Sequence, residues 1–420
     1  MLHANFNPIS VFNDKNLVFA YFFLLLPIFD MLNGYLVLGG YLSEGGLASP
    51  SQLGRMLGML VLFYIAFRKR IDISFGFIFL YPILIEVVNG FIHQNNFGFI
   101  YGVLSGYKLF YGFLLCMVLG YFCKERADIA LLGYFLKLNL ILISFSLLFS
   151  LATGLGNDTY GHGFGTKGFF ASGNGIGIYM GVCSLILLSL KLSGLYNDFN
   201  RFWLVIFALS TAVIGSKTAL VFSMVLLFLL VWFSNYRVLG ILVSACLFAV
   251  ILPQFLDLFV IVFDIIVARY ENSENFFTFL GSGRIEYVLD AFEVFQSHNN
   301  IVLRLCFGSG AFVSFQDPIF VSVFDTLETD IFDVLFMYGI FGVIIYTIVF
   351  TRLFYLSLRS STLTLALVFI GLHSLLAGHV IFNGLSVFAI SIIFVVGQYL
   401  NKQRQSQFSS REESYATSNS

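Results

Sequence analysis

The chain of 420 residues is 59% hydrophobic, 18% aromatic and only 11% charged, with a mean hydropathy of +0.91. Soluble domains carry roughly 25% charged residues, so a water-soluble globular fold is excluded, and so are disordered, collagenous and proline-rich chains, which lack apolar residues to bury. A formal net charge of -1 gives no general attraction to nucleic acid, so any cationic site must come from local placement of the 22 lysines and arginines.

Crossing roughly 30 Å of hydrocarbon takes roughly 20 helical residues, because backbone polar groups in lipid must bond within the segment. Twelve apolar runs approach that length, near 17–38, 53–67, 73–92, 97–122, 127–153, 174–192, 202–215, 218–234, 238–265, 329–350, 363–381 and 384–400. The first follows a single lysine, Lys15, and lacks a small-residue cleavage site, so it reads as a retained helix and not a signal peptide. The expected fold class is all-α: a polytopic membrane protein with about 12 transmembrane helices, nine in residues 1–265 and three in 329–400.

Placing the N-terminus in the cytoplasm puts fourteen of the 22 cations inside, among them Lys15, Arg68, Lys69, Arg70, Lys124 and Arg126. That bias matches the positive-inside rule and puts both termini inside. Segments 39–52, the Gly-rich 154–173 and 266–328 then lie outside, the last being one large extramembrane loop. Within it, 284–297 places Ile285, Val288, Leu289, Phe292 and Phe295 at helical spacing, which predicts an interfacial helix. Residues 401–420 are polar and are expected to form a disordered cytoplasmic tail. The five cysteines lack CxxC spacing, so no disulfide framework and no metal cluster are expected.

Cations on the outer side run against the rule and so need a reason to be there. Lys217, in Gly215-Ser216-Lys217-Thr218, sits where one span ends and the next begins almost without a loop. It is either a snorkelling lysine or a phosphate ligand helped by the following helix N-terminus. Arg269 and Arg284 flank Gly281-Ser282-Gly283, either as solvated loop arginines answered by Glu271, Glu274 and Glu286 or as bidentate phosphate ligands. Lys167 and His162 lie in GHGFGTKGFFASGNG, which joins two spans and therefore cannot be a strand-loop-helix nucleotide motif.

Glu328, Asp330 and Asp333 open the tenth span. Helix capping accounts for Glu328, but Asp333 is one turn deeper, where an acid is costly unless paired. An acid beside the outer cations can serve as a general base. His379 closes the eleventh span on the same side, as an interfacial residue or part of an acceptor site; Asp333 is open to the same two roles. Asp30, Glu86, Lys108 and Lys137 are charged residues within spans, and Glu86 and Lys108, in the outer halves of consecutive antiparallel helices, are expected to form an ion pair.

The order Gly173-Asn174-Gly175, Gly215-Ser216-Lys217, Gly281-Ser282-Gly283-Arg284, Phe307-Gly308-Ser309-Gly310, Glu328-x-Asp330 and Gly339-x-x-Gly342, over roughly residues 150–400, resembles the O-antigen polymerase (Wzy-type) and O-antigen ligase superfamily of bacterial membrane glycosyltransferases. The resemblance implies an enzyme of the bacterial cytoplasmic (inner) membrane that acts at the periplasmic face on undecaprenyl diphosphate-linked oligosaccharide. It implies membrane lipid as surroundings, a chain-length regulator as a partner such enzymes can take, no nucleic acid and no cofactor. Ligases carry an arginine where this chain has Lys217 and a histidine-asparagine pair where it has Glu328-Thr329, so the pattern fits the polymerase branch better. In that reading Glu328 is the base with Asp330 in reserve, and Lys217, Arg269, Arg284 and Lys167 hold the diphosphate without a metal. A ligase and a lipid-linked glycan transporter are the alternatives, and Tyr160, Phe169, Phe170 and Tyr270 are aromatic candidates for stacking on sugars.

Overall fold

A computed structural model describes residues 13–42, 49–93, 96–160, 164–233, 284–297, 300–313, 327, 329–376, 378 and 380–418. The helices are α1 (Asp14–Leu38), α2 (Pro50–Arg68), α3 (Tyr81–His93), α4 (Asn96–Phe122), α5 (Arg126–Thr153), α6 (Gly173–Leu192), α7 (Arg201–Val213) and α8 (Lys217–Trp232). They continue with α9 (Arg284–Ser297), α10 (Ile301–Phe307), α11 (Gly310–Val313), α12 (Asp330–Ser357), α13 (Ser361–Leu376) and α14 (Gly384–Ser418). A small antiparallel hairpin, β1 (Asp158–Tyr160) and β2 (Phe164–Thr166), pairs Asp158 with Thr166.

Among the described residues, 7 helices are long and apolar enough to cross a membrane: α1, α2, the Gly102–Phe122 part of α4, α5, α6, α12 and the Gly384–Ser406 part of α14. Shorter apolar helices cover Gly76–Ile92, Arg201–Val213, Lys217–Trp232 and Ser361–Leu376. The expected run 238–265 and residues 266–283, with Arg269, lie outside the described residues.

The centre of the bundle is α6, buried along almost its whole length and packed by α5, α7, α8, α13 and α14. Its small residues, Gly175, Gly177, Gly181 and Ser184, let neighbouring helices approach closely, the usual way membrane helices gain packing without a hydrophobic drive. A polar tie crosses this core. Pro27 inside α1 has no N–H to give to the Phe23 carbonyl one turn earlier, and the buried Asn139 of α5 donates to that carbonyl at 2.6 Å instead. Tyr179 of α6 donates in turn to Asn139 Oδ1 at 2.9 Å, so the amide has partners on both sides.

One end of the bundle is knit by charges. Lys69 and Arg68 of the α2 terminus pair with Asp14 at 2.8 and 3.1 Å, Lys15 pairs with Asp128 of α5, and Arg126 donates to the Gly194 carbonyl at 2.8 Å. The opposite end gathers the Gly-rich segment and the starts of α6, α8, α12 and α14.

One expectation needs correcting. The polar tail is helical, because α14 runs on to Ser418; extending an established helix avoids the nucleation cost that a free peptide of the same sequence would face. The helix at 284–297 is present with the expected bounds. Ala291 and Phe295 are buried and Val288 packs beside them, whereas Leu289 and Phe292 are exposed. Phe295 packs against Phe336 of α12 in a tilted arrangement with ring centroids 5.1 Å apart, which seats this helix on α12.

Candidate functional site

The Gly-rich segment is fastened to the turn that carries Lys217. Thr159 of β1 donates to the Ile214 carbonyl at 2.6 Å, and Ser150 and Thr166 share a hydrogen bond of 2.7 Å. Ser216 is the N-cap of α8, accepting from the Ala219 N–H, and Lys217 is the exposed first residue of that helix. Next to it, Thr218 shares a hydrogen bond of 3.2 Å with Nδ1 of His373 on α13. The following residue of α13, Ser374, donates to Asp330 at 2.5 Å. Two consecutive α13 residues therefore join the lysine turn to the acidic start of α12.

Asp330 is fully buried and its oxygens also accept from the Val380 and Ile381 N–H groups at 3.1 and 3.4 Å. These donors compensate a carboxylate that has lost its water. Asp333 is buried as well, and its Oδ1 accepts from the Leu327 N–H at 2.7 Å, folding the chain ahead of α12 back onto its first turn. Lys167 lies half-buried beyond the hairpin, its N–H bonded to the Asn157 carbonyl at 2.8 Å. Glu328 and His379 lie outside the described residues, as do the side chains of Arg284 and Tyr160.

A cleft of about 190 Å³ opens at this same end, between α1, α2, α4 and the starts of α6 and α14. Its charged lining is Asp30, Arg55 and Lys108. Arg55 is pinned: Nη2 lies 2.9 Å from the Asp30 carboxylate, and Nη1 donates to the carbonyl of Ser51 at 3.1 Å and to its hydroxyl. Asn33, Gln52, Ser172 and Asn383 add neutral polar groups, and Phe170, Phe382 and Leu385 form apolar wall. The glycine that begins α14 is required here, since a Cβ on Gly384 would lie 1.8 Å from Arg55 Nε.

The expected Glu86–Lys108 pair does not form. Glu86 accepts from the Ala311 N–H at 2.7 Å and packs beside Gly310, so the short helix α11 takes the acid, while Lys108 faces the cleft on the other side of α4. Consecutive helices placed both groups in the same half of the membrane, but the helical rotation sent them to different faces.

The sequence alone assigns no role to Arg55, His373, Asn33 or Asn383. The signal was present for Arg55, which falls one to two turns inside α2, where an arginine needs a partner. The pairing with Asp30, 25 residues away, has no local signature. Comparison with protein-family models gives no match, and comparison with curated proteins gives none either.

Proposed function

We propose that this protein is a polymerase of bacterial surface polysaccharide in the cytoplasmic membrane, with about 12 spans and the charge-knit end inside. It joins undecaprenyl diphosphate-linked oligosaccharide repeat units at the periplasmic face by inverting glycosyl transfer. The observation that supports this most is the tie through His373 and Ser374, which brings the Lys217 turn and the acidic start of α12 to one end of the bundle. Cations and acids at one face suit assembly there, whereas passage of a glycolipid calls for polar groups along the whole path.

In this mechanism an acceptor hydroxyl attacks the anomeric carbon of the lipid-linked donor, the bond from that carbon to the diphosphate oxygen breaks, and the hydroxyl proton passes to a base. Lys217, with Arg269, Arg284 and Lys167, stabilises the charge that develops on the leaving diphosphate. Glu328 takes the proton. Asp330 is engaged by three donors and holds the neighbouring chain in place, which leaves the base role to Glu328. Direct displacement inverts the anomeric configuration.

Purified protein given lipid-linked single repeat units in EDTA is expected to produce a ladder of oligomers. Lys217→Ala is expected to slow the ladder at least about tenfold, on the order of 1.4 kcal/mol in the barrier. Absence of a ladder from folded protein with its cognate repeat unit, or a ladder that appears only when magnesium is restored, overturns the reading. Deletion in the host gives the complementary test, with single repeats on the lipid core expected and a bare core with stranded long chains pointing to a ligase.

A further inference from the structure

We propose that the Arg55–Lys108 cleft is an anion seat that takes a phosphate or diphosphate group. Asp30 neutralises one of the two cations through its contact with Arg55, and the second remains. Among the described residues Lys108 has no hydrogen-bond partner and no carboxylate within 4.0 Å, although it lies half-buried on a membrane-spanning helix. A partly desolvated ammonium without a counter-charge is costly in a membrane-spanning segment, and a bound anion offsets that cost. The Arg55 Nε is likewise buried without an acceptor.

The backbone adds positive potential from three directions. Ser51 and Gln52 belong to the first turn of α2, Ser172 is the N-cap of α6, and Asn383 immediately precedes α14, and all four line the cleft. Helix N-termini carry partial positive charge and attract phosphates, and here three of them converge on the side chains of Arg55 and Lys108. Because Arg55 is fixed by Asp30 and Ser51 and wedged against Gly384, little side-chain freedom is lost when a ligand arrives.

The size limits the ligand. Drug-sized ligands occupy pockets of about 300–1,000 Å³, so this cleft of about 190 Å³ suits a small charged headgroup and not an oligosaccharide. The anion site follows from the cleft's charge alone; its identification with a lipid-linked diphosphate rests on the proposed function. Joining two lipid-linked chains brings two diphosphates to one membrane face, and a seat separate from Lys217 serves the second, since Lys217 does not line the cleft.

The test uses the full-length protein in nanodiscs of zwitterionic lipid, titrated with inorganic pyrophosphate and, separately, with glycan-free undecaprenyl diphosphate, and followed by thermal stabilisation. Wild type is expected to be stabilised by at least one of them, Lys108→Met to bind at least tenfold more weakly, and Lys108→Arg, which keeps the charge, to bind as wild type does. Tighter binding of the prenyl diphosphate identifies a lipid headgroup, and equal binding identifies the free anion as sufficient; either supports the seat. No stabilisation of wild type by either ligand at millimolar concentration overturns it without recourse to any variant, as does undiminished binding by folded Lys108→Met. No glycan transfer is involved in this readout. A protein that binds through Lys108 but makes no ladder keeps the seat and loses the polymerase reading, and one that makes a ladder without binding does the reverse.

Discussion

Two buried aspartates at the same end of the bundle are satisfied in opposite ways. Asp330 accepts from the Ser374 hydroxyl and the N–H groups of Val380 and Ile381, and through them joins α12, α13 and the approach to α14. Asp30 faces a guanidinium, and a second cation, Lys108, lines the same cleft, so the local charge sums to a surplus. The first arrangement meets its carboxylate with donors fixed in the protein. The second is complete only with another anion. A buried carboxylate is therefore informative less by being buried than by whether its partners balance it.

The comparison can be broken most severely at Asp30. Asp30→Ala leaves Arg55 and Lys108 together without a counter-charge, and losing one partner of a buried pair is expected to cost about 3–5 kcal/mol, read as a fall in unfolding midpoint in detergent. Replacing Asp30 and Arg55 together by leucine is expected to recover most of that loss, which would show that the penalty lies in the orphaned charge. Equal instability of the single and double variants would contradict this account.

Asp330→Ala is next. It takes the acceptor from the Val380 and Ile381 N–H groups, while Ser374 keeps its hydrogen bond with Tyr346, and is expected to cost about 1–3 kcal/mol, read as a fall in the same midpoint. Asp330→Asn keeps an acceptor oxygen and should lose less. Because Asp330 does not line the cleft, neither change is expected to alter pyrophosphate affinity, and a changed affinity would mean that the two regions are coupled.

Gly384→Ala sharpens the comparison at the level of packing. A methyl group 1.8 Å from a pinned guanidinium must displace it, an overpacking cost of about 1–3 kcal/mol, together with weaker anion binding. Gly371→Ala on α13 is the control, since a Cβ there meets nothing within 4 Å, and it is expected to be neutral or to gain up to about 1 kcal/mol. The smallest effect is expected from Tyr107→Phe, which removes the 2.8 Å bond from the tyrosine hydroxyl to Gln52 beside the cleft and should cost about 0.5–1.5 kcal/mol. A larger loss would give that hydroxyl a part in holding the cleft open.

The sequence by itself determined that this is a helical membrane protein, because long apolar runs with few charges have no other way to satisfy their backbone in lipid. Counting 238–265 as a span, it also led to the expectation that the Lys217 turn and the start of α12 lie toward one end. It marked Asp30, Glu86 and Lys108 as costly, but the cost names no partner. Only the tertiary structure decided that Glu86 meets the Ala311 N–H, that Asp30 meets Arg55, and that Lys108 is left facing a cleft. The reason is geometric. Hydropathy reports how deep a residue sits along a helix, whereas partnership depends on the rotation of each helix about its axis and on which neighbours pack beside it. Here that is set by contacts as local as Gly384 against Arg55 and as distant in sequence as Asn139 against Phe23, which no single run of residues encodes.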